Sequence, residues 1–443
     1  MKNKTPIFFI TLAIIALLLG IFFGLFASLQ YLFPHFLKDL IPFTKMRPFH
    51  TTTLISWIVL AATGSIYFFI TQVENISFTY PKLLKIHFII FLLTGIAIYI
   101  SFIFGKTEGR EYLNYTPVLT IPILIGWGLF GLNYFATIRK KVSNWPVYYW
   151  MWGTGIVFMM YHLCEAHLWT IPSFRAYFIK DLTVQWKSYG SFVGSWNMLV
   201  YGIAIYLMSK IKNDVSVARG KTKFFFYFLG LTNLMLGWAH HTYIIPTQEW
   251  IRYLAYGVSM TEWIIFFHII YSWKKSLTKQ EKQTYCITYK LLLATDFWVF
   301  LNIILALLFS IPAINFFTHG THITVAHSMG TTIGINTTIL LASLFFVVGK
   351  VKQEPIVFSQ LKKTFYAYNG FLLLFLATLL YAGTVRSNWM YFTKDVPFSE
   401  MQSSLHKAYV GFFLFGVGLV VTLLIFAFKL LKPLLNYLKN NQN

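Results

Sequence analysis

Residues 6–33 contain no Asp, Glu, Lys or Arg, and they form the first of twelve apolar runs separated by short loops. A helix crossing roughly 30 Å of hydrocarbon needs about 20 such residues, because every backbone N–H and C=O must be satisfied within the segment. Cutting at charged, Pro/Gly and Asn-rich punctuation places the runs near 6–33, 50–72, 83–105, 116–138, 145–170, 187–210, 222–246, 249–273, 286–317, 323–349, 363–385 and 401–431. Only 11% of the residues are charged, against about 25% in soluble domains, which excludes a soluble globule. The sequence therefore predicts an all-α polytopic membrane protein of 12 transmembrane helices. Residues 1–443 read as a single integral-membrane domain in a lipid bilayer.

A net charge of +22 raises the question of nucleic acid, but the cations sit in short loops and form no basic stripe interleaved with aromatics. No nucleic-acid partner is expected. Lys and Arg instead divide unevenly, 24 on the side of the N-terminus and 12 on the other. The positive-inside rule then puts both termini in the cytoplasm. The apolar N-terminal run shows no small-residue cleavage site and reads as the first span rather than a signal peptide. Cys164 and Cys286 fall in separate apolar segments and suggest neither a disulfide nor a Cys-rich metal site.

Polar side chains are costly in hydrocarbon, so the twelve histidines carry the functional signal. His35, His87, His319, His322 and His406 lie near run ends and read as interfacial. His240 and His241 sit inside the seventh run; adjacent helical residues are about 100° apart, so both imidazoles can converge on one ion. His50 opens the second run beside Arg47, a cation suited to a carboxylate. In the tenth run His327 and Met329 are about 200° apart, able to serve two different haems on opposite faces of one helix. His162 and Glu165 share a helix face in the fifth run.

In combination these residues resemble the catalytic subunit of the haem–copper oxidase superfamily, and within it the nitric oxide reductases. Met46-Arg47-Pro48-Phe49-His50-Thr51 looks like the family's start of helix two. Gly109-Arg110-Glu111-Tyr112-Leu113-Asn114 is similar to a reductase loop whose acidic residues bind a calcium ion bridging haem propionates. Glu111 keeps its place there, while Asn114 replaces the second acid. The resemblance implies a high-spin haem b on His327 and a low-spin haem b on His50 and Met329, with Arg47 anchoring propionates. It further implies a non-haem iron or copper on His240 and His241, and a buried Glu262 near the active site.

Two departures stand out. Met329 occupies a position where the family has His, and His/Met ligation would raise the low-spin haem's potential. The sixth run contains no His, so the family's third metal ligand falls on Tyr189, and its supporting Glu falls on Val193. Candidates to complete the site are Tyr189, Asn197, Glu262, or His162 with Glu165. Lys187, near the mouth of this run, would approach a propionate or snorkel to the interface.

The resemblance implies reduction of NO to N2O in a bacterial inner membrane. The electron donor would be a membrane-anchored c-type cytochrome, carried on a separate chain. No Cys-x-x-Cys-His occurs here, and the long N-terminal extension of quinol-fed reductases is absent. Oxygen-reducing members rely on a Tyr cross-linked to a metal-ligand His, for which the sixth run offers no partner. An oxygen-reducing or NO-dismutating relative, and a non-catalytic haem protein that senses or stores a diatomic gas, remain the alternatives.

Overall fold

In the computed structural model, residues 3–139, 144–258, 261–393 and 395–440 are described; the side chain of Glu262 lies outside them. Helices account for nearly all of the described chain, and the one β-bridge among those residues, Arg110 with Leu113, closes a loop. The principal helices are α1 Thr5–Leu32, α2 Phe43–Phe68, α3 Pro81–Ile103, α4 Thr120–Ile138, α5 Val147–Glu165, α6 Phe178–Lys212, α7 Lys221–Leu236 and α8 Glu249–Val258. They continue with α9 Thr261–Ser276, α10 Cys286–Ser310, α11 Pro312–Thr318, α12 His322–Met329, α13 Thr338–Lys352, α14 Lys362–Phe392 and α15 His406–Asn440.

Ten helical segments among the described residues are long and apolar enough to cross a membrane. The expected runs 145–170 and 222–246 are helical over α5 and α7 but are not among the ten. α5 mixes Gly, His and Glu into its 19 residues, and α7 stops after 16, where a 3₁₀ segment, Gly237–Thr242, takes over. The tenth run is also composite, since an eight-residue π-helix, Gly330–Thr337, joins α12 to α13.

Which faces are buried follows from the composition. Ile89, Leu93, Ile96 and Ile100 recur every three or four residues along α3 and all stand exposed. Such a stripe belongs against lipid, because soluble monomers rarely expose a continuous apolar face. α2, α6 and the α12–α13 run are enclosed on most sides and form the centre of the bundle.

Side-chain hydrogen bonds fix the register of the two central elements that carry His50 and Met329. Trp57 Nε1 donates to Thr337 Oγ1 at 3.1 Å, and Ser343 Oγ donates to Ser65 Oγ at 2.8 Å. The sequence separations, 280 and 278, are nearly equal, so α2 runs parallel to the tenth run. Continued toward the start of both elements, that register puts His50 level with Met329.

α12 and α14 run antiparallel in close contact. A Cβ on Gly383 would lie 2.4 Å from the Ile323 backbone N, which cannot move aside as a side-chain tip can. Gly383→Val is therefore expected to destabilise the bundle by about 1–3 kcal/mol or more. Thermal unfolding in detergent checks this: an unchanged midpoint would show that the two helices are not packed as described.

Candidate functional site

The setting of His50 in α2 decides the role of each ring nitrogen. Nδ1 lies 2.8 Å from the Gly20 carbonyl oxygen of α1, which makes Nδ1 the protonated nitrogen and leaves the Nε2 lone pair free. A metal-ligating His usually donates its other N–H to a carbonyl in this way. α1 accommodates the ring by having Gly at 24, where a Cβ would come within 2.5 Å of His50 Cε1. Tautomer and cradle together suit a haem ligand.

His327 lies near the end of α12, with its ring 5.9 Å from Trp263 of α9 and 5.8 Å from Phe309 of α10, centroid to centroid. Its Nδ1 is buried and has no partner among the described residues. Met329, two residues on, packs partly buried against the core where the π-helix begins. The wider backbone of a π-turn is a frequent companion of functional positions.

His240 and His241 do not lie within a regular α-helix as the sequence suggests. They occupy the 3₁₀ segment Gly237–Thr242, where successive residues are about 120° apart. The helix yields at Gly237 because Asn233 Oδ1 fills the place a Cβ would take, 1.8 Å away. The two rings still adjoin, with centroids 4.1 Å apart. Trp186 of α6 stacks on His241 at 5.7 Å, and Gly190, one turn further, admits the Trp238 backbone close to α6 with the His241 ring beside it. From α11, Asn315 Nδ2 donates to the His240 carbonyl at 3.2 Å.

His319, expected at an interface, instead joins this neighbourhood. The Asn315 carbonyl accepts from the His319 backbone N–H at 2.7 Å, and the His319 ring lies 6.1 Å from Trp186, edge to face. What places it there is the sharp turn at Gly320, whose φ of +72° separates α11 from α12. His87 is likewise not interfacial: it is fully buried, with Nδ1 3.0 Å from the Tyr67 hydroxyl.

The other expected residues are distributed around this centre. Tyr189 packs its ring 5.9 Å from Tyr112. Asn197 accepts from Asn336 Nδ2 at 3.0 Å, tying α6 to the π-helix. Glu262 belongs to α9, with its side chain outside the described residues. Arg47 and Glu111, expected at propionates and calcium, form an ion pair with each other. Arg110 pairs with Asp181 at 2.8 Å. His162 Nδ1 lies 3.0 Å from Glu165, whose other oxygen accepts from Lys187 at 2.5 Å. That chain joins α5 to α6, so His162 and Glu165 are engaged with Lys187 rather than completing the His pair.

The donor set thus fits haem better than it fits a second metal. Among the described residues no three His, Cys, Asp or Glu side chains converge as a metal site, and His240 with His241 supplies two imidazoles.

Three comparisons bear on this arrangement. Residues 4–431 match the family described as cytochrome C and quinol oxidase polypeptide I. A nitric oxide reductase chain of Stutzerimonas stutzeri is 22% identical over 333 residues, 69% of this chain and 67% of that protein. The Cbb3-type cytochrome c oxidase subunit CcoN1 of the same organism is 24% identical over 256 residues, 55% of this chain and 53% of that one. The chain thus spans about two thirds of the first relative and about half of the second. In three dimensions it is similar to a heme-copper terminal oxidase solved by cryo-EM as a dimer, with a TM-score of 0.76 and 14% identity over 98% of this chain and 84% of that one.

Proposed function

Because the chain belongs to the family of cytochrome c and quinol oxidase polypeptide I, we propose that it works as a haem b oxidoreductase reducing NO to N2O. In this reading all twelve runs cross a bacterial inner membrane as one domain with both termini cytoplasmic. The overall reaction is 2 NO + 2 H⁺ + 2 e⁻ → N2O + H2O. The observation that carries the proposal is the shared level of His50 and Met329 on parallel helices, with His327 on the opposite side of α12 from Met329. Such an arrangement would let His50 and Met329 hold one haem between two helices and His327 hold a second.

In the proposed site His50 and Met329 would hold a low-spin haem b, which would supply electron transfer from a membrane-anchored c-type cytochrome. His327 holds the high-spin haem, and His240 with His241 would hold non-haem iron or copper. A haem bound there would supply the redox chemistry and an iron able to take NO. The chain's own contribution is positioning. Trp186 fixes the plane of the His241 ring, and Asn315 holds the His240 backbone from α11. Arg47, now paired with Glu111, would turn to propionates, leaving Glu111 for a calcium ion. Glu262, Tyr189 and Asn197 stand as candidates for proton delivery or for the missing metal ligand. With the second donor set incomplete, no step is assigned to that metal.

Reduction of NO rather than O2 is favoured by α6 itself. It carries Tyr189 but no His, so the Tyr–His cross-link on which oxygen-reducing members rely has no partner there. Haem and metal analysis of the purified protein tests the proposal: two haems b and one non-haem metal per chain are expected. A preparation with no haem b absorption would remove it, and one haem without a second metal would favour gas sensing or storage.

A further inference from the structure

A cavity of about 300 Å³ lies between α12, α14 and α15 at the His322 end of α12, closed on one side by Tyr31 of α1. Leu379, Ala382 and Phe412 make its apolar wall, and Arg386 and His322 make its polar end. Arg386 Nε and His322 Nδ1 are both buried without a hydrogen-bond partner among the described residues. None of the ion pairs among the described residues includes Arg386. Arg386 is half-buried, and a buried guanidinium N–H left without an acceptor is costly; the chain has only 14 acidic residues to supply one. The aromatic rim adds hydroxyls, with the Tyr31 ring 5.0 Å from Tyr409 and 6.5 Å from His322.

We propose that Arg386 and His322, with the Tyr31 hydroxyl, form a binding site for an anionic oxygen group, carboxylate or phosphate, carried on an apolar body. A guanidinium matches the geometry of either anion. The haem propionates are the favoured source, and this part rests on Met329 as a haem ligand. Contact between Gly383 and Ile323 sets the register of α14 on α12, so Thr378, which also lines the cavity, lies level with Ser328 and Met329. His322 and Met329 are seven residues apart, two helical turns, and so share one face of the tenth run. An anion at Arg386 and a haem at Met329 would therefore occupy one continuous side of that run. A phospholipid phosphate entering from the bilayer would satisfy the same groups.

The test compares wild type, Arg386→Leu and Arg386→Lys in detergent, reading haem per chain, the low-spin midpoint potential and tightly bound phospholipid phosphorus. The Lys variant keeps the charge and controls for misfolding. Loss of the low-spin haem, or a lower potential, in Arg386→Leu with recovery in Arg386→Lys supports the site with propionates as its anion. Unchanged haem with loss of bound phosphorus supports the site with a lipid phosphate. If none of the three quantities changes, the site is overturned. Wild type without any haem, but with Arg386-dependent phosphorus, would remove the proposed enzyme function and leave the anion site standing.

Discussion

His240→Ala is expected to lower NO turnover by more than a hundredfold while leaving the low-spin haem spectrum intact. Loss of a group that only orients a metal ligand typically costs about 10–100-fold, and removal of the ligand itself should cost more. The variant should fold, because Asn315 bonds the backbone carbonyl at 240, which alanine retains. His241 should also keep its place, since Trp186 stacks on it from α6. The proposed low-spin ligands, His50 and Met329, lie elsewhere, on α2 and at the end of α12, so the low-spin bands act as an internal control. Turnover at the wild-type rate would remove the His pair from the active site.

The second large effect is expected at His50. In His50→Ala the low-spin haem should be lost, taking haem content from about two to about one per chain, with steady-state turnover falling by a similar hundredfold or more. The bond lost with the ring is the one to the Gly20 carbonyl, and the ring vacates the space that Gly24 leaves for it. High-spin haem on His327 should remain and still bind NO when reduced chemically, because only the path of electrons has been cut. A variant that keeps both haems would show that His50 is a structural His bonded to α1.

Much of this arrangement is legible in the sequence, and the exceptions have physical causes. Ten of the twelve apolar runs, and with them the places of His50, His327 and Met329 on the second and tenth, follow from run length, because lipid imposes one simple requirement on each span. The break at Gly237 does not: the residues from Phe224 to His241 read as one apolar helix. Only the Asn233 side chain, folded into the space beside Gly237, ends it. Nor is the position of His319 visible in a linear reading, since it depends on the Gly320 turn bringing α11 back against the His pair. His87 shows the same limit from the other side, its place near a run end concealing complete burial against Tyr67. Arg386 passes unnoticed just past the end of the eleventh run because nothing nearby in sequence reveals that it lines a cavity with His322.

The proposed second metal is where the donor set falls short, since among the described residues His240 and His241 gain no third His, Cys, Asp or Glu. The sixth run has no His, and the fold brings Trp186 and Gly190, rather than a ligand, up to His241. Whether the protein still joins two NO molecules is answered most directly by supplying ¹⁵NO to the purified, pre-reduced protein under anoxia and following the headspace by mass spectrometry. Catalytic release of doubly labelled N2O, one per two NO consumed, is the expected result. Brisk O2 uptake in a parallel aerobic assay, with no N2O formed from NO, would contradict the proposed function.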